Sequence, residues 1–180
     1  MPESPDSHRS RSPEFALLGF LYSEPSHGYD LHRRLVAELG HNWHVSQSQT
    51  YAILKRLETQ WSISATTVEQ EKLPAIQFLK ITPAGRKRFE TWLETSSGSS
   101  VRSVRLEFIS RLYFAEKFAT EKISQMFDAQ TAEVQNALGR LEAAMAGLPD
   151  GQKFNRLGLQ LRIRQLNSIL DWLVECRKAF

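Results

Sequence analysis

The stretch Val45-Ser46-Gln47-Ser48-Gln49-Thr50-Tyr51-Ala52-Ile53-Leu54-Lys55-Arg56-Leu57-Glu58 decides how the first half of the chain folds. Ser46 followed three residues later by Gln49 is a capping-box pattern, which predicts that a helix begins here. The first turn carries hydroxyl and amide side chains, the groups that bind base edges and phosphates in a major groove. Apolar residues at helical spacing behind them predict a face that packs on other helices. The segment therefore has the composition of a recognition helix, although a surface helix of an ordinary bundle shares these two faces.

The segments on either side of this stretch also carry helix and strand patterns. Ser12 before Pro13, and Thr82 before Pro83, each place a capping residue before a proline at the first helical position. Two β-compatible runs on either side of a charged turn predict a hairpin. The predicted flanking elements are a helix at Glu14–Tyr22, a helix capped by Ser26 that runs to about Leu39, strands at Ile63–Val68 and Ile76–Ile81, and a helix after Thr82-Pro83. This order predicts a winged helix-turn-helix with a two-stranded wing.

The second half of the chain is predicted to be helical after a Ser/Gly-rich break at Thr95–Ser100. The predicted helices are Val101–Phe118, Glu121–Ala146 and Gln152–Ala179. At the other end, Met1–Ser12 is polar without an apolar core, so we expect a disordered arm and not a secretion signal. The predicted fold is mainly α, with an arm (1–12), a winged helix-turn-helix DNA-binding domain (13–95), a linker (96–100) and an all-helical dimerisation and effector domain (101–180).

The two last predicted helices each carry a narrow apolar seam that needs a partner. The residues of these seams, predicted to mediate dimerisation, are Ile123, Phe127, Val134, Leu138, Leu141, Leu159, Ile163, Leu166, Leu170 and Leu173. A bundle folded back within one chain is one explanation, and pairing across a homodimer is the other. The dimer is favoured because symmetric homodimers are common and suit palindromic DNA.

The composition of the chain limits the class of protein but says less about its binding partners. The chain of 180 residues has a net charge of +3, and residues 13–95 carry nine basic and nine acidic side chains. A phosphate-binding surface must therefore come from local clustering of charge. The longest apolar run, Phe15–Tyr22, is too short to cross a bilayer, so no membrane is expected. The single Cys176 fits a reducing, cytoplasmic compartment and is expected to be a buried thiol and not a nucleophile.

Three motifs together resemble the PadR-like family of transcriptional regulators. Ser26-His27-Gly28-Tyr29-Asp30-Leu31 is similar to its His-Gly-Tyr-(Glu/Asp)-Leu motif, and Val45-Ser46…Tyr51…Leu54-Lys55-Arg56-Leu57-Glu58 resembles its recognition helix. Ile81-Thr82-Pro83-Ala84-Gly85-Arg86 resembles the Leu-Thr-x-x-Gly-Arg that follows the wing. The match covers about Pro13–Leu93, and the Arg102…Arg105-Leu106-Glu107-Phe108 entry to the second half fits more loosely.

The resemblance implies a dimeric repressor, joined through its C-terminal helices, that leaves DNA when a phenolic or other small aromatic effector binds. This sequence departs from the family pattern in two places. The recognition helix of the family usually has Gly and Pro near its start and a Gly just after its end. In this sequence those places are occupied by Ser48, Ala52 and Trp61. The wing lacks adjacent basic residues before its last strand, which leaves Lys72 and Lys80. The DNA sequence that is read is therefore expected to differ.

The predicted DNA contacts lie on the recognition helix and at the wing tip. They are Ser46, Gln47, Ser48, Gln49 and Thr50 toward the bases, and Tyr51, Lys55, Arg56 and Lys72 toward the phosphates. A glutamine can read adenine through two hydrogen bonds. The alternatives are a helix-packing ring for Tyr51 and a solvated face for Lys55 and Arg56. A winged helix that binds a partner protein instead of DNA is the rival function, favoured by the balanced charge of residues 13–95.

No enzyme, cofactor or metal site is predicted. The pair His41-x-x-His44 lacks the further ligands that a zinc site needs, and no triad, carboxylate pair or phosphate-binding glycine loop is present. Aromatic side chains of both halves are candidates for an effector pocket between them, although each has ordinary core packing as its alternative. These candidates are Phe15, Tyr22, Trp43, Phe108, Tyr113 and Trp172.

Overall fold

The structure, a computed structural model, describes residues 12–70 and 73–180, and the side chains of all these residues except 68–70 and 73–76. The chain divides between Thr95 and Ser96 into two compact units. The first unit contains α1 (Glu14–Ser23), β1 (Ser26–His27), α2 (Gly28–Leu39), α3 (Gln47–Thr59), β2 (Ile63–Gln70), β3 (Leu73–Ile81) and α4 (Pro83–Glu94). The second contains α5 (Val101–Ser103), a π-helix (Val104–Phe108), α6 (Ile109–Phe118), a 3-10 turn (Thr120–Lys122), α7 (Ile123–Ala146) and α8 (Lys153–Arg177). The predicted winged helix-turn-helix followed by an all-helical half is confirmed.

The sheet of the first unit has three antiparallel strands in the order β1-β3-β2, one strand more than the predicted two-stranded wing. Ile63 pairs with Ile81 in the wing, and Ser26 pairs with Leu79 at the added edge. Ser26 was predicted to cap the second helix. It is extended and paired instead, and α2 begins after His27, whose Nδ1 lies 3.1 Å from the carbonyl oxygen of Gln77.

Helix α1 forms the centre of the first unit. Its Leu17 and Leu18 are fully buried, as the apolar composition of this segment predicts. It packs against α2, α3, α4 and β3. Leu35 of α2 and Phe89 of α4 are likewise fully buried against this centre. Helix α3, the predicted recognition helix, therefore packs on a buried core.

The backbone between α3 and α4 passes very close to Gly85. A Cβ at this position would lie 1.9 Å from the carbonyl oxygen of Ser62, so no larger residue fits without movement. Thr82 caps α4 by accepting from the Gly85 N–H at 3.0 Å and donates to the Trp61 carbonyl at 2.6 Å. Trp61 has φ of 56°, a left-handed conformation that favours glycine. The end of α3 is thus fastened to the start of α4.

Helices α7 and α8 fold back on each other in the second unit. Arg177, near the end of α8, binds Asp128 near the start of α7 at 2.6 Å. Five of the ten predicted dimerisation residues are buried within the chain: Ile123, Phe127, Val134, Leu166 and Leu173. Their burial supports the intramolecular explanation, and contact of these seams with a second chain stays a prediction. Leu138, Leu141, Leu159, Ile163 and Leu170 are half-buried.

A polar cluster lies inside the second unit, near the residues predicted to form the linker. Arg111 is buried, binds Glu107 at 3.5 Å and donates to Ser97. Burial lowers the pKa of Arg111 to about 10, while the nearby Glu107 acts in the opposite direction. Gln130 lies 3.4 Å from the carbonyl oxygen of Gly98. Ser97 is therefore buried in the helical unit, and the exposed Gly98 is bonded to that unit through its carbonyl group.

Candidate nucleic-acid interface

The start of α3 is held by a reciprocal pair of hydrogen bonds. The Ser46 hydroxyl accepts from the Gln49 N–H at 3.2 Å, and Oε1 of Gln49 accepts from the Ser46 N–H at 2.8 Å. The predicted capping box is therefore confirmed. Because both side chains hold the helix start, Gln49 has its amide oxygen engaged, which opposes two-point reading of a base.

The outer face of α3 carries exposed side chains on successive turns. Gln47, Ser48, Tyr51 and Lys55 are all exposed. Among the residues that the structure describes, no hydrogen bond or ion pair engages the side chain of Gln47, Ser48 or Lys55. This face, defined by Gln47, Ser48, Tyr51 and Lys55 and called the outer face below, is available to a ligand.

Thr50 does not belong to the outer face, so its predicted contact with bases is wrong. The side chain is fully buried, and its hydroxyl donates to the Ser46 carbonyl at 3.2 Å. Its oxygen lies 3.0 Å from Nδ1 of His32 on α2 and can accept from it. The burial of Thr50 could have been predicted from the sequence. Thr50 precedes Ile53 and Leu54 by three and four residues and so shares their buried face.

Tyr51 combines the two alternatives considered for it. Its side chain is 46% exposed, so the ring is partly available on the outer face. The same ring lies over Gly28 at the start of α2, where a Cβ would be 2.8 Å from Cε1 of Tyr51. The glycine of the His-Gly-Tyr motif thus lets α3 approach α2 closely.

The side chain of Arg56 is 47% exposed but forms an ion pair within the unit, which engages the group that was predicted to contact phosphate. Its Nη2 lies 2.8 Å from Oε2 of Glu14 and 3.0 Å from the hydroxyl of Ser12. Glu14 is 2% exposed, and its other oxygen binds Arg88 of α4. Arg88 also donates to Gln60 and Ser62. A single buried carboxylate thereby joins α1, α3 and α4.

Glu14 is the important residue that the sequence analysis missed. It is the only charged residue in a helix that is otherwise apolar nearly all round. Charged side chains are almost never buried without a partner, so an acidic residue there could have indicated an inward ion pair. The remaining predicted contact, Lys72 at the wing tip, lies outside the described residues.

The aromatic residues predicted to line an effector pocket are divided between the two units. In the first unit, Phe15 stacks on Trp92 at 4.9 Å and Trp43 is buried. Tyr22 donates to Glu90 at 2.9 Å, and partial burial, followed by this bond, raises the pKa of Tyr22. In the second unit, Phe108 is buried with its edge toward Trp172, Tyr113 packs on Phe114, and Trp172 lines a cleft. A pocket built from both sets stays a prediction.

Other kinds of site find little support within residues 12–70 and 73–180. No three His, Cys, Asp or Glu residues of this part are grouped as a metal would require. None of its helices is both long and apolar enough to pass through a membrane. Cys176 is half-buried, and burial raises the pKa of its thiol, which opposes its use as a nucleophile.

Sequence comparisons extend over both units. A profile of the Transcriptional regulator PadR-like family matches residues 17–91, and one of the Virulence activator alpha C-term family matches residues 104–180. The Probable transcriptional regulator Rv1176c of Mycobacterium tuberculosis is 32% identical over 179 residues, covering 91% of this chain and 95% of that protein. The Negative transcriptional regulator PadR of Bacillus subtilis is 28% identical over 132 residues, covering 73% of this chain and 71% of the other.

Solved structures with a similar chain include two regulators. The Bacillus subtilis PadR in complex with operator DNA has a TM-score of 0.46 and 22% identity, over 93% of this chain and 97% of that one. The Vibrio cholerae virulence activator AphA has a TM-score of 0.41 and 21% identity, over 91% and 95%. The family assignment rests on the sequence matches. The chain belongs to the PadR-like family of transcriptional regulators, which is a family of regulators and not of enzymes.

Proposed function

We propose that this protein is a dimeric repressor that binds a pseudo-palindromic DNA sequence through α3 and releases it when a small effector binds. The observation that carries the proposal is the outer face, whose polar side chains are free while the opposite side of the helix is buried. An exposed polar helix face on a packed unit is what a major groove accepts. Its place of action would be the cytoplasm, where such a regulator meets DNA.

Within this proposal the side chains have different roles. Gln47 reads a base edge, because its amide is free where that of Gln49 is engaged in the cap. Ser48 lies beside Gln47, and Ser46 caps the helix and takes no part in reading bases. Lys55 binds phosphate, and the Tyr51 hydroxyl does so from the exposed edge of its ring. Lys72 is retained as a phosphate contact on the sequence alone.

The test is selection of bound sequences from random DNA by the intact chain. Gln47→Ala is expected to relax the preference at one position of each half-site, with a loss of about 1–3 kcal/mol against the wild-type sequence. Gln160→Ala, an exposed glutamine of α8, serves as the control and should change nothing. An unchanged preference in Gln47→Ala would refute the assignment.

The proposed dimer would use a face of α8 that the chain leaves uncovered. Phe154, Leu157 and Leu161 are 84%, 51% and 58% exposed, and their spacing places them on one side of the helix. A second copy is the fitting occupant, because a two-fold axis presents the same face from both chains and matches a palindrome. Leu157→Glu with Leu161→Glu should give monomers in sedimentation equilibrium, whereas Gln160→Glu should leave the dimer intact. A monomeric wild-type protein would refute the dimer.

The rival function, a winged helix that binds a partner protein, rests on the equal numbers of basic and acidic residues between 13 and 95. A gel shift with genomic fragments at two salt concentrations separates the two. DNA binding through phosphates weakens steeply with salt. Absence of any shift at low salt would favour the protein partner.

A further inference from the structure

Two adjoining clefts run along α8 in the helical unit. The first has a volume of about 390 Å³ and mostly apolar walls, in which Val104, Ile109, Ile169 and Trp172 lie beside Arg105 and Arg164. The second has a volume of about 340 Å³ and is lined by three arginines. Val101 and Gln165 line both, so the clefts meet there. Together they offer an apolar compartment that continues into a basic one.

The basic compartment has an unusual balance of charge. Its arginines are Arg102, Arg140 and Arg162, and no acidic residue lines either cleft. In the described part of the chain, none of the three has a hydrogen-bonding or ion-pair partner. Elsewhere, by contrast, Arg56 and Arg177 each bind a carboxylate. Three guanidiniums gathered without an acid around one cleft favour an anionic ligand.

The backbone beside the apolar compartment departs from α-helical geometry. Residues Val104–Phe108 form a π-helix, in which the N–H of Ile109 donates to the carbonyl of Val104 five residues before it. Such turns are rare and occur frequently at functional sites. Here Val104, Arg105 and Ile109 from this segment all line the apolar cleft. The local geometry is an observation independent of the charge, and it points to the same place.

We propose that the paired clefts bind an amphipathic anion, a compact aromatic or acyl group joined to a phosphate-bearing head. The apolar group lies against Trp172 and Ile169, in a compartment whose volume is in the range of small-molecule sites. The head lies among Arg102, Arg140 and Arg162. A phosphate is favoured over a carboxylate because one arginine suffices to bind a carboxylate at both oxygens, whereas three match a dianion with three terminal oxygens.

The site names the class of effector for the proposed function, and only its consequence for DNA rests on that function. Calorimetric titration of the full chain without DNA tests the site itself, with 2-naphthyl phosphate, 2-naphthol and inorganic phosphate at equal ionic strength. Naphthyl phosphate is expected to bind at least tenfold more tightly than either fragment. Binding no tighter than that of inorganic phosphate would overturn the proposal.

Two variants locate the binding. Arg140→Gln with Arg162→Gln should lower the affinity for naphthyl phosphate at least tenfold, whereas Arg156→Gln, on the helix of Arg162 but outside both clefts, should not. Ser168→Trp fills the apolar cleft from an exposed position and should also abolish binding. Full affinity in both variants would overturn the proposal. The proposal would also be overturned if the wild-type protein were a dimer and Ser168→Trp a monomer, because a second copy would then occupy the cleft.

Failure of this site and failure of the proposed function give different results. A protein that binds naphthyl phosphate but no DNA keeps the site and loses the proposed function. A protein that binds its selected DNA but not naphthyl phosphate loses the site alone. When both hold, naphthyl phosphate is expected to weaken DNA binding in a gel shift, and Arg140→Gln with Arg162→Gln to abolish that effect.

Discussion

Two neighbouring cations of α3, Lys55 and Arg56, are expected to separate DNA binding from stability. Lys55 is exposed and has no side-chain partner among the described residues. Lys55→Ala should therefore leave the free energy of unfolding within about 0.5 kcal/mol of wild type. The loss of one phosphate contact should flatten the dependence of log affinity on log salt by about 0.9 per bound chain, because one fewer counterion is released.

Arg56→Ala should have the opposite profile. The change removes a charged hydrogen bond of 2.8 Å to Glu14, a carboxylate only 2% exposed. Such bonds contribute roughly 1.5–3 kcal/mol. Solvent screens part of this energy because the Arg56 side chain is 47% exposed, and Arg88 still binds the same carboxylate. We therefore expect Arg56→Ala to lower the free energy of unfolding by about 1–2 kcal/mol. The salt dependence of DNA binding should not change.

Urea unfolding followed by circular dichroism measures the first quantity, and fluorescence anisotropy of a labelled, selected duplex at several salt concentrations measures the second. Glu14→Gln is the matched control, since it removes the shared carboxylate and should lower stability without touching the outer face. The reasoning is refuted when Arg56→Ala flattens the salt slope and leaves unfolding unchanged. It is equally refuted when Lys55→Ala leaves the slope as it was.

Three further predictions concern single positions. Trp61→Gly should raise the free energy of unfolding in urea by about 0.5–1 kcal/mol. Relief of the left-handed strain exceeds the conformational entropy that glycine loses on folding, and Trp61 is 80% exposed, so little packing is lost. Any decrease in the free energy of unfolding would contradict this. Gly85→Ala should lower it by about 1–3 kcal/mol through collision with the Ser62 carbonyl, whereas Gly139→Ala, with open space around it, should raise it by up to about 1 kcal/mol. Cys176 should react with iodoacetamide at pH 8 more slowly in the folded protein than in urea, because burial raises the pKa of its thiol, and equal rates would exclude that effect.

The sequence by itself determined the features that arise from neighbours along the chain. The capping box of Ser46 and Gln49 and the cap at Thr82 depend on residues three positions apart, so their hydrogen bonds can be predicted from the order of side chains. The apolar composition of α1 likewise predicted its burial, since no face of that helix is polar. These local patterns sufficed to predict the winged helix and the residue at which α3 begins.

Only the tertiary structure decided which side chains of α3 are free. The ion pair between Glu14 and Arg56 joins residues 42 positions apart, and no local pattern records that distance. The same holds for the bond between His32 and Thr50, and for the return of α8 onto α7 that buries Leu166. Periodicity states that a face needs a partner, but the partner is chosen by packing across the whole chain. For that reason the predicted DNA contacts of α3 could be reduced to the outer face, Gln47, Ser48, Tyr51 and Lys55, only from the packing of the surrounding helices.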